Sequence, residues 1–399
     1  MYHFRFAPGY LCLLTSNARK ALPVLCRYRK YKRTMFETSS FLHHPIGVAV
    51  SPSPPRNEEV LDNLERLRIK KTLVRIPSWH KERLEDYENF IQRIKQRGLD
   101  IVISLLQRRE DVRHPEGWVQ FLDEVFSRFK PFSSHFEIGH AWNRTKWGVW
   151  DYREYLRLAE PSVPLAMKHD IRLVGPAVID FEFHLYPAVL KKIAFDHVSS
   201  LLYVDRVGAP ENKQFGWSTS QKTALLKAVV DACMKEKRNI WITEMNWPIA
   251  GTGKYSPAVG RMNVSEEEQA NFLVRYFVLC LSTGFVDRIY WWQLVAPGYG
   301  LIDSRPERWK KRPSFFALKS MAERIEGSHF VKKIPHHEAF MFLFRKQEKP
   351  FAVCWTKRSS LRHTFSRGIL RVENREGEGI PFQKNEVQFT PSPQYVYFK

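Results

Sequence analysis

The sequence predicts an α/β fold: a (β/α)₈ TIM barrel followed by a small all-β domain. Three observations carry this. Short apolar, β-branched runs alternate eight times with amphipathic helical stretches, and parallel strands need such crossovers between them. A barrel of this kind takes about 250 residues, so a chain of 399 has room for an appendage. The turn after the first run reads SPSPPRN, unlike the Gly-rich turn that opens a doubly wound sheet.

The elements follow in order. The runs Ile46–Ser51, Thr72–Ile76, Asp100–Leu105, His135–Gly139, Ile171–Gly175, Val198–Tyr203, Asn239–Glu244 and Arg288–Leu294 read as strands one to eight. Helical spacing occupies Asn57–Leu67, Glu82–Arg97, Pro115–Phe129, Tyr152–Lys168, Pro187–Phe195, Thr219–Glu236, Glu266–Ser282 and Pro313–Ile325. From Gly327 the pattern changes to short strands at Phe340–Arg345, Pro350–Trp355, Ile369–Val372 and Gln394–Phe398. The predicted organisation is a basic, poorly ordered leader over 1–40, the barrel over 41–326 and the β domain over 327–399. Met35 is a second candidate start.

The net charge is +21, which attracts polyanions and anionic membranes. Eight basic residues and no acid lie in residues 1–34. No nucleic-acid-binding signature accompanies the charge. No apolar run is long enough for a membrane span, and Phe6–Leu14 makes a poor signal peptide; peripheral membrane contact and a cytoplasmic location are the expectations. The five cysteines are scattered without CxxC or Cys/His spacing, as suits a reducing compartment. No cofactor or metal is called for: His336-His337-Glu338 reads as a solvated turn, and Gly251-Thr-Gly-Lys254 lacks the full phosphate-loop spacing.

Barrel enzymes carry their sites at the carboxyl ends of the strands. Polar residues there are Arg75, His140, Asp180, Glu182, Tyr203, Asp205, Glu244, Asn246 and Gln293, with Trp79, Trp142, Trp247, Trp291 and Trp292 near the same rim. Carboxylates among aromatic rings suit sugars, which stack on rings while carboxylates do acid/base work. Glu244 ends an apolar strand, where a charge is costly without a purpose. Arg75 is expected to hold Glu244 ionised and Tyr203 to hydrogen-bond it; a structural ion pair and core packing are the plainer alternatives. By strand parity Trp241 is expected against the helices, Glu137 beside a core cation, and Trp247 with one of Trp291 and Trp292 as sugar platforms.

The segments FEIGHAWNRTKW (136–147) and IWITEMNWP (240–248) resemble the fourth- and seventh-strand segments of clan A glycoside hydrolases, nearest the β-xylosidase/iduronidase-like members. The resemblance spans about residues 46–326 and implies carbohydrate as substrate, with Glu244 at the nucleophile position and Asn143 in the substrate-binding loop. It departs from the pattern at the acid/base glutamate, which falls on Ala141, with His140 in place of the preceding asparagine and Trp142 in place of proline.

Three readings follow. The acid has moved to Glu182, Asp180, His140 or Asp205, a wider separation favouring inversion. Alternatively the site binds sugar without cleaving it, or the leaving group needs no acid. Glu182 and Asp180 also read as loop charges, Asp205 as an ion pair with Arg206, and His140 as a holder of Glu244. The functional expectation is an O-glycosidase acting on an anionic cell-envelope glycan such as phosphorylated lipopolysaccharide core. The alternatives are an inactive carbohydrate-binding protein, or a protein that binds nucleic acid or anionic membrane through its leader. Glu244→Gln is expected to abolish turnover with little loss of stability.

Overall fold

The computed structural model describes residues 8–205, 208–255 and 263–399. Eight parallel strands close into a barrel: β1 (Ile46–Val50), β2 (Lys71–Pro77), β3 (Asp100–Leu106), β4 (His135–Ile138), β5 (Arg172–Ile179), β6 (His197–Leu201), β7 (Ile240–Met245) and β8 (Val286–Trp291). Closure is through β1 and β8, where Gly47 lies opposite Tyr290. A Cβ on Gly47 would sit 2.4 Å from the Tyr290 ring, so glycine lets that ring fill the barrel.

The helices are α1 (Pro8–Thr34), α2 (Asn57–Arg66), α3 (Leu84–Gln96), α4 (Arg109–Arg113), α5 (Pro115–Phe129), α6 (Tyr152–Ala159), α7 (Ser162–His169), α8 (Tyr186–Leu190), α9 (Thr219–Cys233), α10 (Glu266–Leu281) and α11 (Pro313–Ile325). Their apolar faces and the outward faces of the strands form one large core; a smaller core of Ala49, Leu73, Val102, Val174, Trp241 and Tyr290 fills the barrel. Ser218 and Ser265 cap α9 and α10 through reciprocal bonds with Gln221 and Glu268, which satisfies backbone donors that a helix start leaves unpaired. One expected helix is two: Tyr152–Lys168 breaks at Pro161, whose ring nitrogen has no hydrogen to donate.

The leader differs from the poorly ordered segment expected of it. Residues 8–34 form α1, which lies against α8 and α9. Leu13 and Tyr28 are buried there, and the Tyr31 hydroxyl donates to Asp231 at 2.5 Å. The 3.6-residue period of these contacts holds the helix down although its composition is basic.

After the barrel come β9 (His329–Ile334), β10 (Ala339–Lys346), β11 (Lys349–Thr356), β12 (Leu361–Thr364), β13 (Ile369–Glu373), β14 (Glu386–Phe389) and β15 (Gln394–Phe398). The main sheet runs β9-β10-β11-β15-β13, edged by the short strand Ser40–Phe41, while β12 and β14 pair separately. Alternation divides its two faces. Phe342, Phe344, Phe351, Val353, Trp355 and Tyr395 join the barrel core; Met341, Ala352, Cys354, Val396 and Phe398 join a second core with Val387 and Phe389 of β14. Among the described residues no helix is long and apolar enough to cross a membrane.

At the amino-terminal end of the barrel, His197 stacks on Trp241 with ring centroids 4.0 Å apart, and Arg288 lies over the same indole. His135 lies 5.2 Å from His197. Burial, then neighbouring cations, lowers His135 to about 4; burial, then His135 and Arg288, lowers His197 to about 3. Both rings are therefore neutral in the folded protein at pH values where the unfolded chain binds protons. Stability is expected to fall as pH drops below about 6.5, by on the order of 1–2 kcal/mol per histidine at pH 4.5 after allowance for solvent screening. Urea unfolding across pH 7.5–4.5 checks this. His197→Gln should flatten the acid slope, whereas an unchanged slope would assign acid lability elsewhere.

Candidate active site

Glu244 owes its direction to a register shift. Between β7 and β8, Ile242 pairs with Ile289 but Met245 pairs with Trp291, so three steps on β7 match two on β8. An extra residue of this kind re-aims the side chains that follow it. Trp241 accordingly lies inside the barrel rather than against the helices as a regular strand would place it. Met245 and Trp291 face the helices instead, and Glu244 points into the mouth.

There its two oxygens are held separately. Arg75 at the end of β2 pairs with Oε2, and the Tyr203 hydroxyl just past β6 donates to Oε1 at 2.5 Å. His140 Nε2 stands 3.8 Å from Oε2. The Arg75 guanidinium lies 3.3 Å from the centroid of the half-buried Trp292 ring. Asn246 donates to the Trp292 carbonyl at 2.7 Å, tying the ends of β7 and β8. The Trp292–Gln293 peptide bond is cis. Gln293 donates to the Val295 carbonyl at 2.9 Å.

His140 is almost fully buried. Burial first, then the cations Arg75 and Lys146, pushes its imidazole well below the usual histidine range. It is a neutral ring at neutral pH and carries no proton for a leaving group through the imidazolium form. Its backbone is clamped by Gln107, which accepts from His140 N at 2.8 Å and donates to His140 O at 3.1 Å. Trp147 stands edge-on against the ring.

Ala141 is fully buried against Ala177, Ile179 and Leu201. Gly139 and Ala141 both have left-handed backbones, with φ of 80° and 42°, and this turn points the following side chains into protein. Trp142, expected to contact substrate, stacks on Tyr155 at 4.5 Å and donates to the Pro176 carbonyl. Asn143 exchanges hydrogen bonds with the backbone of Ile179 and reaches Glu182 at 3.0 Å. These two residues fasten the loop after β4 to β5. Asp180 and Glu182 are brought together, but around Arg144, which pairs with both. The Asp205 carboxylate accepts from Gly208 N and Asn212 in a turn; Arg206 lies outside the described residues.

The aromatic residues divide likewise. Trp247 and Trp291 stack on each other in the core beside Phe272 and Tyr276, because both project to the α10 side of the barrel. Neither presents a face to a ligand; of the strand-eight pair it is Trp292 that stands at the mouth. Below the mouth, the expected cation beside Glu137 is not its direct partner: Ser104 donates to it at 2.7 Å, and burial raises its carboxyl toward the protonated form. Trp79 stands exposed past β2.

Sequence reasoning missed Gln107, Arg144, Trp147 and Tyr299. Gln107 carried the signal used for the others, a polar residue directly after an apolar strand. Tyr299, which stands beside Trp292 and is raised by burial, sits in an irregular loop with no periodic cue. Among the described residues no group of three or more His, Cys, Asp or Glu side chains could hold a metal ion.

No family model matches the chain, and no curated protein matches it in sequence. Solved structures do. A family 39 glycoside hydrolase from the gut symbiont Bacteroides cellulosilyticus WH2 superposes with a TM-score of 0.68 at 14% identity, covering 90% of this chain and 81% of that one. The chain has the fold of a barrel glycosidase. A GH30 endoxylanase from Clostridium papyrosolvens C71 gives 0.62 at 12% identity, over 92% of this chain and 98% of that one. A GH51 arabinofuranosidase from Xanthomonas axonopodis pv. citri gives 0.57 at 11%, over 92% and 96%. These neighbours are clan A glycoside hydrolases, and the likeness extends through the β region that follows the barrel.

Proposed function

We propose that the protein acts on O-glycosidic bonds of a carbohydrate held at the barrel mouth, with Glu244 as the attacking or base carboxylate. The observation that carries this reading is the treatment of Glu244: a buried acid at the end of β7, one oxygen paired with Arg75 and the other hydrogen-bonded by Tyr203. The two contacts fix the direction of the carboxylate at the mouth, the positioning that a nucleophile or base requires. Trp292 supplies a ring face beside it. The net charge of +21 supports an anionic glycan as the substrate class.

Proton donation is where the site departs from the usual pair. Ala141 has no proton to give, His140 is neutral, and Asp180 and Glu182 are both engaged by Arg144. The reading therefore favours substrates whose leaving group departs without protonation. Nitrophenyl glycosides should be cleaved at least about a hundredfold faster than alkyl glycosides of the same sugar, since general-acid help is worth about 10²–10⁴-fold. Equal rates on both would place a working acid in the site. The buried Ala141 favours a second reading, a carbohydrate-binding protein without turnover. That reading predicts saturable sugar binding by calorimetry and no product from either glycoside class.

A further inference from the structure

We propose that α1 is a membrane-surface anchor that docks its outer face on an anionic lipid bilayer. The helix has two faces. The inner one is committed: Leu13 and Tyr28 are buried, Tyr28 packs on Trp217, and Asn17 and Lys20 donate to the carbonyls of His184 and Ala232. The outer one carries Leu11, Leu14, Leu22 and Leu25, which are 66, 50, 70 and 44% exposed. Their spacings of three, eight and three residues keep all four within one stripe of a 3.6-residue helix. Ala18 lies between them on the same stripe, and Arg29 and Lys32 continue it.

Charge decides what covers the stripe. Arg19, Arg29, Lys30, Lys32 and Arg33 are exposed on this helix, and it contains no acidic residue. A leucine stripe bordered by cations is the pattern of a helix lying in the interface of an anionic bilayer, with apolar side chains among the acyl chains and cations at the headgroups. A second copy of the chain would bring two acid-free basic helices together, so like charges would oppose the leucine contact. A nucleic acid would satisfy the cations but leave the leucines in water. The fixed inner face means that docking requires no refolding. The anchor does not depend on the reading given to Glu244.

The experiment is co-sedimentation of the full chain with vesicles of phosphatidylcholine alone and of phosphatidylcholine with 30% phosphatidylglycerol. Binding is expected to be at least tenfold tighter to the anionic vesicles and to weaken in 0.5 M salt. Leu22→Asp with Leu25→Asp should weaken it at least tenfold, with thermal unfolding unchanged because both side chains face solvent. Leu11→Gln with Leu14→Gln provides an independent pair on the same stripe. Anionic-vesicle binding that survives both pairs would reduce the effect to surface charge and overturn the anchor. So would failure to bind vesicles combined with a dimer, seen by sedimentation velocity, that the leucine pairs dissociate. Preferential, leucine-independent binding to duplex DNA in competition with vesicles would overturn it as well.

Discussion

Glu244→Gln is expected to lower turnover of any hydrolysed glycoside by roughly 10³-fold or more, the scale on which losing a nucleophile or base is felt. Glutamine keeps the size and hydrogen-bonding outline of the side chain but has no charge with which to attack or to take a proton. Binding of the same sugar should persist, because Trp292 and the surrounding backbone are unchanged. The measurement is steady-state hydrolysis together with calorimetric affinity, in wild type and variant. Retained turnover in the variant would remove Glu244 from the chemistry. Binding in both proteins with turnover in neither would establish the barrel mouth as a lectin-like site.

The structure changes the second half of the sequence-based expectation, that the substitution costs little stability. Glu244 and Arg75 are each about nine-tenths buried and paired to one another. Neutralising the acid leaves a buried guanidinium whose side-chain contacts among the described residues are then the amide oxygen and the face of Trp292, with Glu137 in electrostatic range. Removing one partner of a buried pair costs about 3–5 kcal/mol; the amide recovers part of this, so a loss of about 2 kcal/mol is expected. Arg75→Met with Glu244→Gln should recover stability relative to Glu244→Gln alone, since it removes the stranded charge. If the double variant is less stable by the sum of both single losses, the pair is not coupled as the geometry indicates.

The barrel was legible because its signal is repeated. Each strand is an apolar, β-branched run, and each crossover shows a helical period, so one weak element is corrected by its neighbours. The strand ends were legible for the same reason, which is how Arg75, Tyr203 and Glu244 were placed at one mouth. Side-chain direction was less so. Strict alternation along β7 sends Trp241 outward, and only the register shift against β8 reverses it. That shift is a property of two strands and is not written in either alone. Trp142 and Asn143 were misplaced by the left-handed turn at Gly139 and Ala141, a conformation that alanine does not advertise. The leader failed differently: its basic composition concealed an apolar stripe on each of two faces.

Glu211→Ala is expected to destabilise the protein by about 3–5 kcal/mol, the cost of stranding a buried charge. Glu211, in the segment between β6 and α9, receives Arg275 of α10 and also the Trp355 indole N–H of β11, the latter at 2.7 Å. The side chains of Arg275 and Glu211 are 1% and 3% exposed. One carboxylate therefore joins a barrel loop, a barrel helix and the sheet that follows the barrel. Its removal leaves Arg275 with the Pro391 carbonyl at 3.4 Å as its remaining hydrogen-bond partner among the described residues. Urea unfolding followed by tryptophan fluorescence measures the loss. Because Trp355 packs on Phe340 and Phe342 at the barrel face of the sheet, loosening should reach the sheet first, and a second, lower-urea transition is expected in the variant. Arg275→Met combined with Glu211→Leu should regain much of the stability, since paired apolar replacement removes both desolvation costs. A single transition at the wild-type midpoint in Glu211→Ala would show that apolar packing alone joins sheet to barrel.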